Sequence, residues 1–172
     1  MFAKALVVSL LTLALAAVPG TAQAQQVTLV DPPGDKTQAG LDITRAKFAN
    51  RDRAVVARVT FVRDRPGAVF VGVQGRHGWI LAVVESRHHR QGPDEVALED
   101  GDRCRGLSST WNRATATIRV RIPSRCVARD GDYGALRFAA ATLPLHNADD
   151  VAVDYVPDTA GEEQFSALVP RG

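Results

Sequence analysis

The chain has 172 residues, 45% of them apolar, and its 21 basic and 19 acidic side chains leave a formal charge of +2. So small a charge gives no reason to expect nucleic acid as a partner. A chain of this length can hide enough surface to form a core without a structural metal or several disulfides.

Met1 to Lys4 supply a short positive region, Ala5 to Val18 an apolar stretch, Pro19 and Gly20 a break, and Ala22 to Ala24 a small-residue cleavage site. This is the pattern of a secretory signal covering residues 1–24, with cleavage expected after Ala24. The apolar run has 14 residues, short of the ~18 that a membrane span requires. Residues 25–172 are then expected to form a single domain, secreted or held in the cell envelope.

That region carries almost no helical pattern. Its apolar residues alternate with period two and turn residues recur at short intervals, the signature of an antiparallel sandwich or barrel. Val27–Val30 is a first short strand, followed by a loop from Asp31 to Gly40, because paired prolines cannot sit in a central ladder. Ile43–Ala49 and Arg53–Arg63 are strands about a turn at Asn50 to Asp52; Val55, Ala57, Val59 and Phe61 share one face of the second. After Pro66 and Gly67 comes a strand at Ala68–Gln74. His77–Ser86 is apolar on both faces and reads as a central strand covered on both sides, which would place Trp79 in the core. The best alternation lies in Ala114–Ile122, with Ala116, Ile118, Val120 and Ile122 inward and Arg119 and Arg121 outward; Pro123 ends it. Ala135–Leu143 and Val151–Val156 complete an all-β, antiparallel two-sheet sandwich of jelly-roll or immunoglobulin-like type.

Cys104 and Cys126 are the only cysteines. In an exported chain they are expected to form one disulfide. A turn at Glu99 to Gly101 precedes the first. A two-residue Asp100–Gly101 turn would set Cys104 opposite Ala97. A three-residue loop with Gly101 in the left-handed region would set it opposite Val96, on the apolar side, and this register is preferred.

Asp31, Asp35 and Asp42 gather before a strand, and Asp154 could close on them if the two ends of the domain pair. Calcium takes six to eight oxygens, often from loop aspartates, so these four are candidate calcium ligands. The alternative is turn chemistry, with Asp31 and Asp35 bonding their own backbone. The run Asp31, Pro32, Pro33, Gly34, Asp35, then Asp42 and Ile43 opening a strand, resembles the start of CBM9-like and DOMON-like sandwich domains, and of small exported actinobacterial proteins. The likeness spans Val30 to Val62 and the segment Asp154 to Asp158. It implies a β-sandwich that binds sugars or a redox group on one face. The chain departs from that pattern, since its only methionine is Met1 and neither Trp79 nor Trp111 aligns with a sugar-stacking pair.

Trp111, in a polar run from Ser108 to Asn112, is the candidate ligand-stacking residue, the alternative being packing at a sheet edge. His88 and His89 read as a solvated loop, because neighbouring residues on a strand face opposite ways and cannot chelate together. Arg58, Arg119 and Arg121 are placed on an outer surface able to meet an anionic envelope polymer, with interleaved acidic residues expected to neutralise it. No nucleophile elbow, metalloprotease helix or phosphate loop is present; Glu85, Glu95, Glu99 and Asp102 are the only material for an acid/base pair that the strands suggest. The reading is an exported, non-catalytic binding domain for an envelope polymer, glycan or protein, with no cofactor other than calcium. The alternatives are a carbohydrate-binding or calcium-stabilised module and a small secreted hydrolase.

Overall fold

The computed structural model describes residues 25–34, 41–89, 93–101, 104–128, 133–144, 153–158 and 164–172; the expected leader, Asp35 and Asp102 lie outside these residues. Ten strands are found there: β1 (Gln25–Val30), β2 (Ile43–Arg51), β3 (Ala54–Phe61), β4 (Gly67–Gly75), β5 (Ile80–His88), β6 (Glu95–Leu98), β7 (Ser108–Asn112), β8 (Thr117–Pro123), β9 (Leu136–Leu143) and β10 (Asp154–Val156). One short helix, α1 (Ser124–Val127), follows β8.

The strands form two antiparallel five-stranded sheets, ordered β1-β2-β3-β8-β7 and β10-β9-β4-β5-β6, packed together as the expected sandwich. Alternation decides which face is hidden. Ala57 and Val59 of β3, Ile118, Val120 and Ile122 of β8, and Val69, Val71 and Val73 of β4 are all fully buried. Phe48 of β2 and Phe138 of β9 stack across the gap between the sheets, with ring centroids 5.1 Å apart and planes inclined by 6°. The last residues close one end: Val169 pairs with Leu136, and the buried Asn50 amide donates to the carbonyls of Gly134 and Val169, 2.9 Å each.

Four details differ from the sequence reading. The long apolar strand begins at Ile80 and runs to His88, so Trp79 falls in the preceding turn and is 76% exposed. A register shift between Val73 and Gln74 pairs Gln74 with Ile80 and sets Ile80 on the outer face, which has no second sheet over it. Ala116 is not an inward strand residue. It ends a single 3-10 turn in the left-handed region at φ 44°, and β8 starts one residue later. The polar run at Ser108 is an edge strand, with Ser109 and Trp111 half-buried and Ser108, Thr110 and Asn112 exposed.

The fourth difference concerns Cys104. Gly101 does take the left-handed conformation, at φ 78°, with its N–H donating to the Leu98 carbonyl. However, β6 is the last strand of its sheet and pairs with β5, so Cys104 does not face Val96 across a ladder. The chain instead leaves for the other sheet, and Cys104 meets Cys126 on α1, their Cα atoms 5.8 Å apart. The bridge therefore ties the exit of β6 in one sheet to the exit of β8 in the other. Replacing both cysteines by serine is expected to cost about 3 kcal/mol, the entropy of a loop of about 23 residues, measured by urea unfolding. An unchanged midpoint would show that the crosslink adds nothing.

Candidate functional site

The start of β2 lies against β10, while residues 35–40 of the acidic loop lie outside the described residues. The Asp154 carboxylate (Oδ2) accepts the Ile43 N–H at 2.6 Å, and Thr142, its neighbour across the β9–β10 pair, donates its hydroxyl to the Leu41 carbonyl at 2.8 Å. Asp42 (Oδ2) accepts the Gly34 N–H at 2.9 Å from across the loop, and Asp31 is buried. Asp42 and Asp154 thus hold backbone N–H groups and dock the start of β2 on the second sheet. Among the described residues no group of three or more His, Cys, Asp or Glu is arranged to hold a metal ion.

His88 is not in a solvated loop. Ala82, Val84, Ser86 and His88 all point inward from β5, and the imidazole is only 2% exposed. Its Nδ1 lies 2.8 Å from an Asp94 oxygen and its Nε2 3.2 Å from an Asp64 oxygen. Ionised carboxylates only accept, so both contacts are made together when the ring carries both protons. The ring stacks on Trp111 at 4.4 Å, and Trp111 stacks on Phe61 at 5.7 Å. The indole N–H of Trp111 donates to the Ser86 hydroxyl at 3.2 Å. This column joins the inner faces of the two sheets beside their β6 and β7 edges. With both nitrogens engaged by carboxylates, His88 works as a clamp between the residues after β3 and those before β6. The sequence reading passed over Asp64 and Asp94 and ended the strand before His88, which shares the inward parity of Val84 and Ser86 in β5.

The remaining acid/base candidates are spread out. Glu85 holds Arg87 at 2.6 Å on the outer face of β5 and raises that guanidinium above its ordinary value, first by the hydrogen bond and then by its charge. Glu95 stands 4.0 Å from His89. Glu99 lines a groove of about 490 Å³ on the same outer face, floored by the small residues Gly72, Ala139 and Ala141 and walled by Phe70, Tyr155 and Phe165. The Phe165 ring lies so close over Gly72 that a Cβ there would sit 3.2 Å from it.

The strongest electrostatic feature is the outer face of the first sheet. Pairing across β1, β2, β3, β8 and β7 puts Thr28, Lys47, Arg58, Arg119 and Thr110 in one row perpendicular to the strands. The flanking rows read Val30, Arg45, Thr60, Thr117, Asn112 and Gln26, Ala49, Val56, Arg121, Ser108. Five cations therefore share these three rows, none of whose positions holds a carboxylate. Arg45, Lys47, Arg58 and Arg119 are exposed; Arg121 donates to the Gly106 carbonyl, at 3.3 Å. Among the described residues, the strand positions of this face carry none of the interleaved acids expected from the near-neutral composition. Neighbouring strands are about 4.8 Å apart, so Lys47, Arg58 and Arg119 repel one another at close range. No protein-family model matches the chain, and a search of curated proteins finds no match either.

Proposed function

We propose that the chain is an exported, non-catalytic binding domain that holds a polyanionic envelope polymer across the outer face of its first sheet. The row Lys47, Arg58, Arg119 carries the reading. Like charges directly opposite on a sheet are destabilising, by a few tenths of a kcal/mol to about 1 kcal/mol per pair. Such a row is costly to the free protein and becomes favourable when anions lie across it. Four of the five cations are arginines, whose planar fork suits phosphate and carboxylate oxygens and which stay charged at any physiological pH. An extended polyanion also releases counterions on binding, so affinity falls steeply with salt.

The test is a titration of residues 25–172 with long-chain inorganic polyphosphate at several salt concentrations. The double variant Arg58→Glu/Arg119→Glu is expected to bind about 100-fold more weakly, and Arg58→Ala to reduce the slope of log affinity against log salt by roughly 1. Both variants should keep the near-ultraviolet circular dichroism of the parent. Absence of binding at low salt, or equal binding by the double variant, would remove the reading.

A further inference from the structure

At one end of the sandwich the turn joining β4 and β5 presents two adjacent apolar side chains to solvent, Trp79 at 76% and Ile80 at 52% exposure. The turn is stiff. Gly75 N–H donates to the Trp79 carbonyl at 2.8 Å, Gly78 N–H to the Gly75 carbonyl at 3.1 Å, and the Gln74 side-chain amide to the Gly78 carbonyl at 3.0 Å. The display of Trp79 is therefore fixed before any partner arrives, so little ordering cost remains for binding. Arg76 and the His77 imidazole are exposed beside it, and Trp79 shares a hollow of about 440 Å³ with Tyr133. The Tyr133 hydroxyl donates to the Arg51 carbonyl at 3.3 Å, which places the exposed turn of Arg51, Asp52 and Arg53 at the same end.

We propose that this end seats on an anionic lipid bilayer, with Trp79 and Ile80 entering the interfacial layer while Arg76, Arg51 and Arg53 meet headgroup phosphates. A tryptophan flanked by cations matches both parts of that layer, the apolar body of the indole lying at headgroup depth. A soluble polyanion would satisfy the cations and leave Trp79 and Ile80 in water, so the lipid surface accounts for more of the site. The site begins where the basic sheet face ends, with Arg51 at the boundary, and its apolar part, Trp79 and Ile80, belongs to the other sheet.

Vesicles of phosphatidylglycerol and phosphatidylcholine are the probe. The chain has two tryptophans, so Trp111→Phe leaves Trp79 as the sole reporter, and co-sedimentation of the parent protein gives a second readout that does not rely on that substitution. The expected result is a blue shift of Trp79 emission and its quenching by brominated acyl chains with anionic vesicles. Trp79→Ala/Ile80→Ala is expected to weaken co-sedimentation at least about tenfold, Arg53→Glu/Arg76→Glu to weaken the preference for anionic lipid, and Arg58→Glu/Arg119→Glu to leave the blue shift and brominated-chain quenching of Trp79 in vesicle-bound protein unchanged. No quenching by brominated chains, a Trp79 response to soluble polyphosphate alone, or parental binding by the Trp79/Ile80 variant would each overturn the proposal.

Discussion

Replacing Phe138 by alanine lowers the stability of the folded domain by about 3–5 kcal/mol, seen as a fall in the urea midpoint with an unchanged slope. The size of the effect follows from its position. Phe138 is fully buried, is the third residue of β9, and stacks on Phe48 of the opposite sheet. Truncation removes the ring and also strips Phe48 of its partner. The neighbours cannot close the gap, because the Phe138 N–H remains fixed to the Ser166 hydroxyl at 3.0 Å and β9 stays registered between β4 and β10. Phe70→Ala serves as the comparison. That ring lies half-buried on the outer face of the same sheet, and its loss is expected to cost only about 1 kcal/mol. Equal costs for the two rings would show that the space between the sheets is not the dominant core.

The second large effect is expected at the clamp around His88. Exchanging both Asp64 and Asp94 for alanine should cost about 3–5 kcal/mol, and His88→Leu distinctly less. The asymmetry comes from burial. The imidazole is 2% exposed, whereas each carboxylate is 29% exposed. Removing the histidine leaves two acids that water can reach. Removing the acids leaves a polar ring inside the protein with neither nitrogen satisfied, and a buried group without its partner carries the full desolvation cost. Leucine can also keep much of the apolar contact with Trp111. Denaturant unfolding of the three proteins ranks them, and a histidine exchange costlier than the double aspartate exchange would show that the ring acts by packing alone.

Much of the sandwich can be read from the chain because alternation in β3, β8 and β9 is uninterrupted, and two cysteines in an oxidising setting admit one pairing. Trp79 shows where such reading stops. It sits in phase with Leu81 and Val83, and only the register shift opposite Gln74 tells that the strand begins one residue later and turns its first side chain outward. His88 failed for the opposite reason: its parity was right, but a polar residue between arginines looked like a strand that had ended. The partners Asp64 and Asp94 reach it from segments that no local spacing connects. The basic face is intermediate. Outward positions for Arg58, Arg119 and Arg121 follow from alternation alone. Their alignment with Lys47 and the lack of any acid among them follow from β8 pairing with β3 across 55 residues of intervening chain, which depends on strand order.

Because the described strand positions of that face carry five cations and no carboxylate, charge is unevenly spread over the described residues despite a near-zero total. A molecule of this kind turns in the field of a fixed negative matrix before touching it, so productive encounters outnumber random ones and capture slows sharply as ionic strength rises. For the polyanion binding proposed above, orientation would then be settled at a distance, with the flank carrying Glu85 and Glu99 facing away from the polymer.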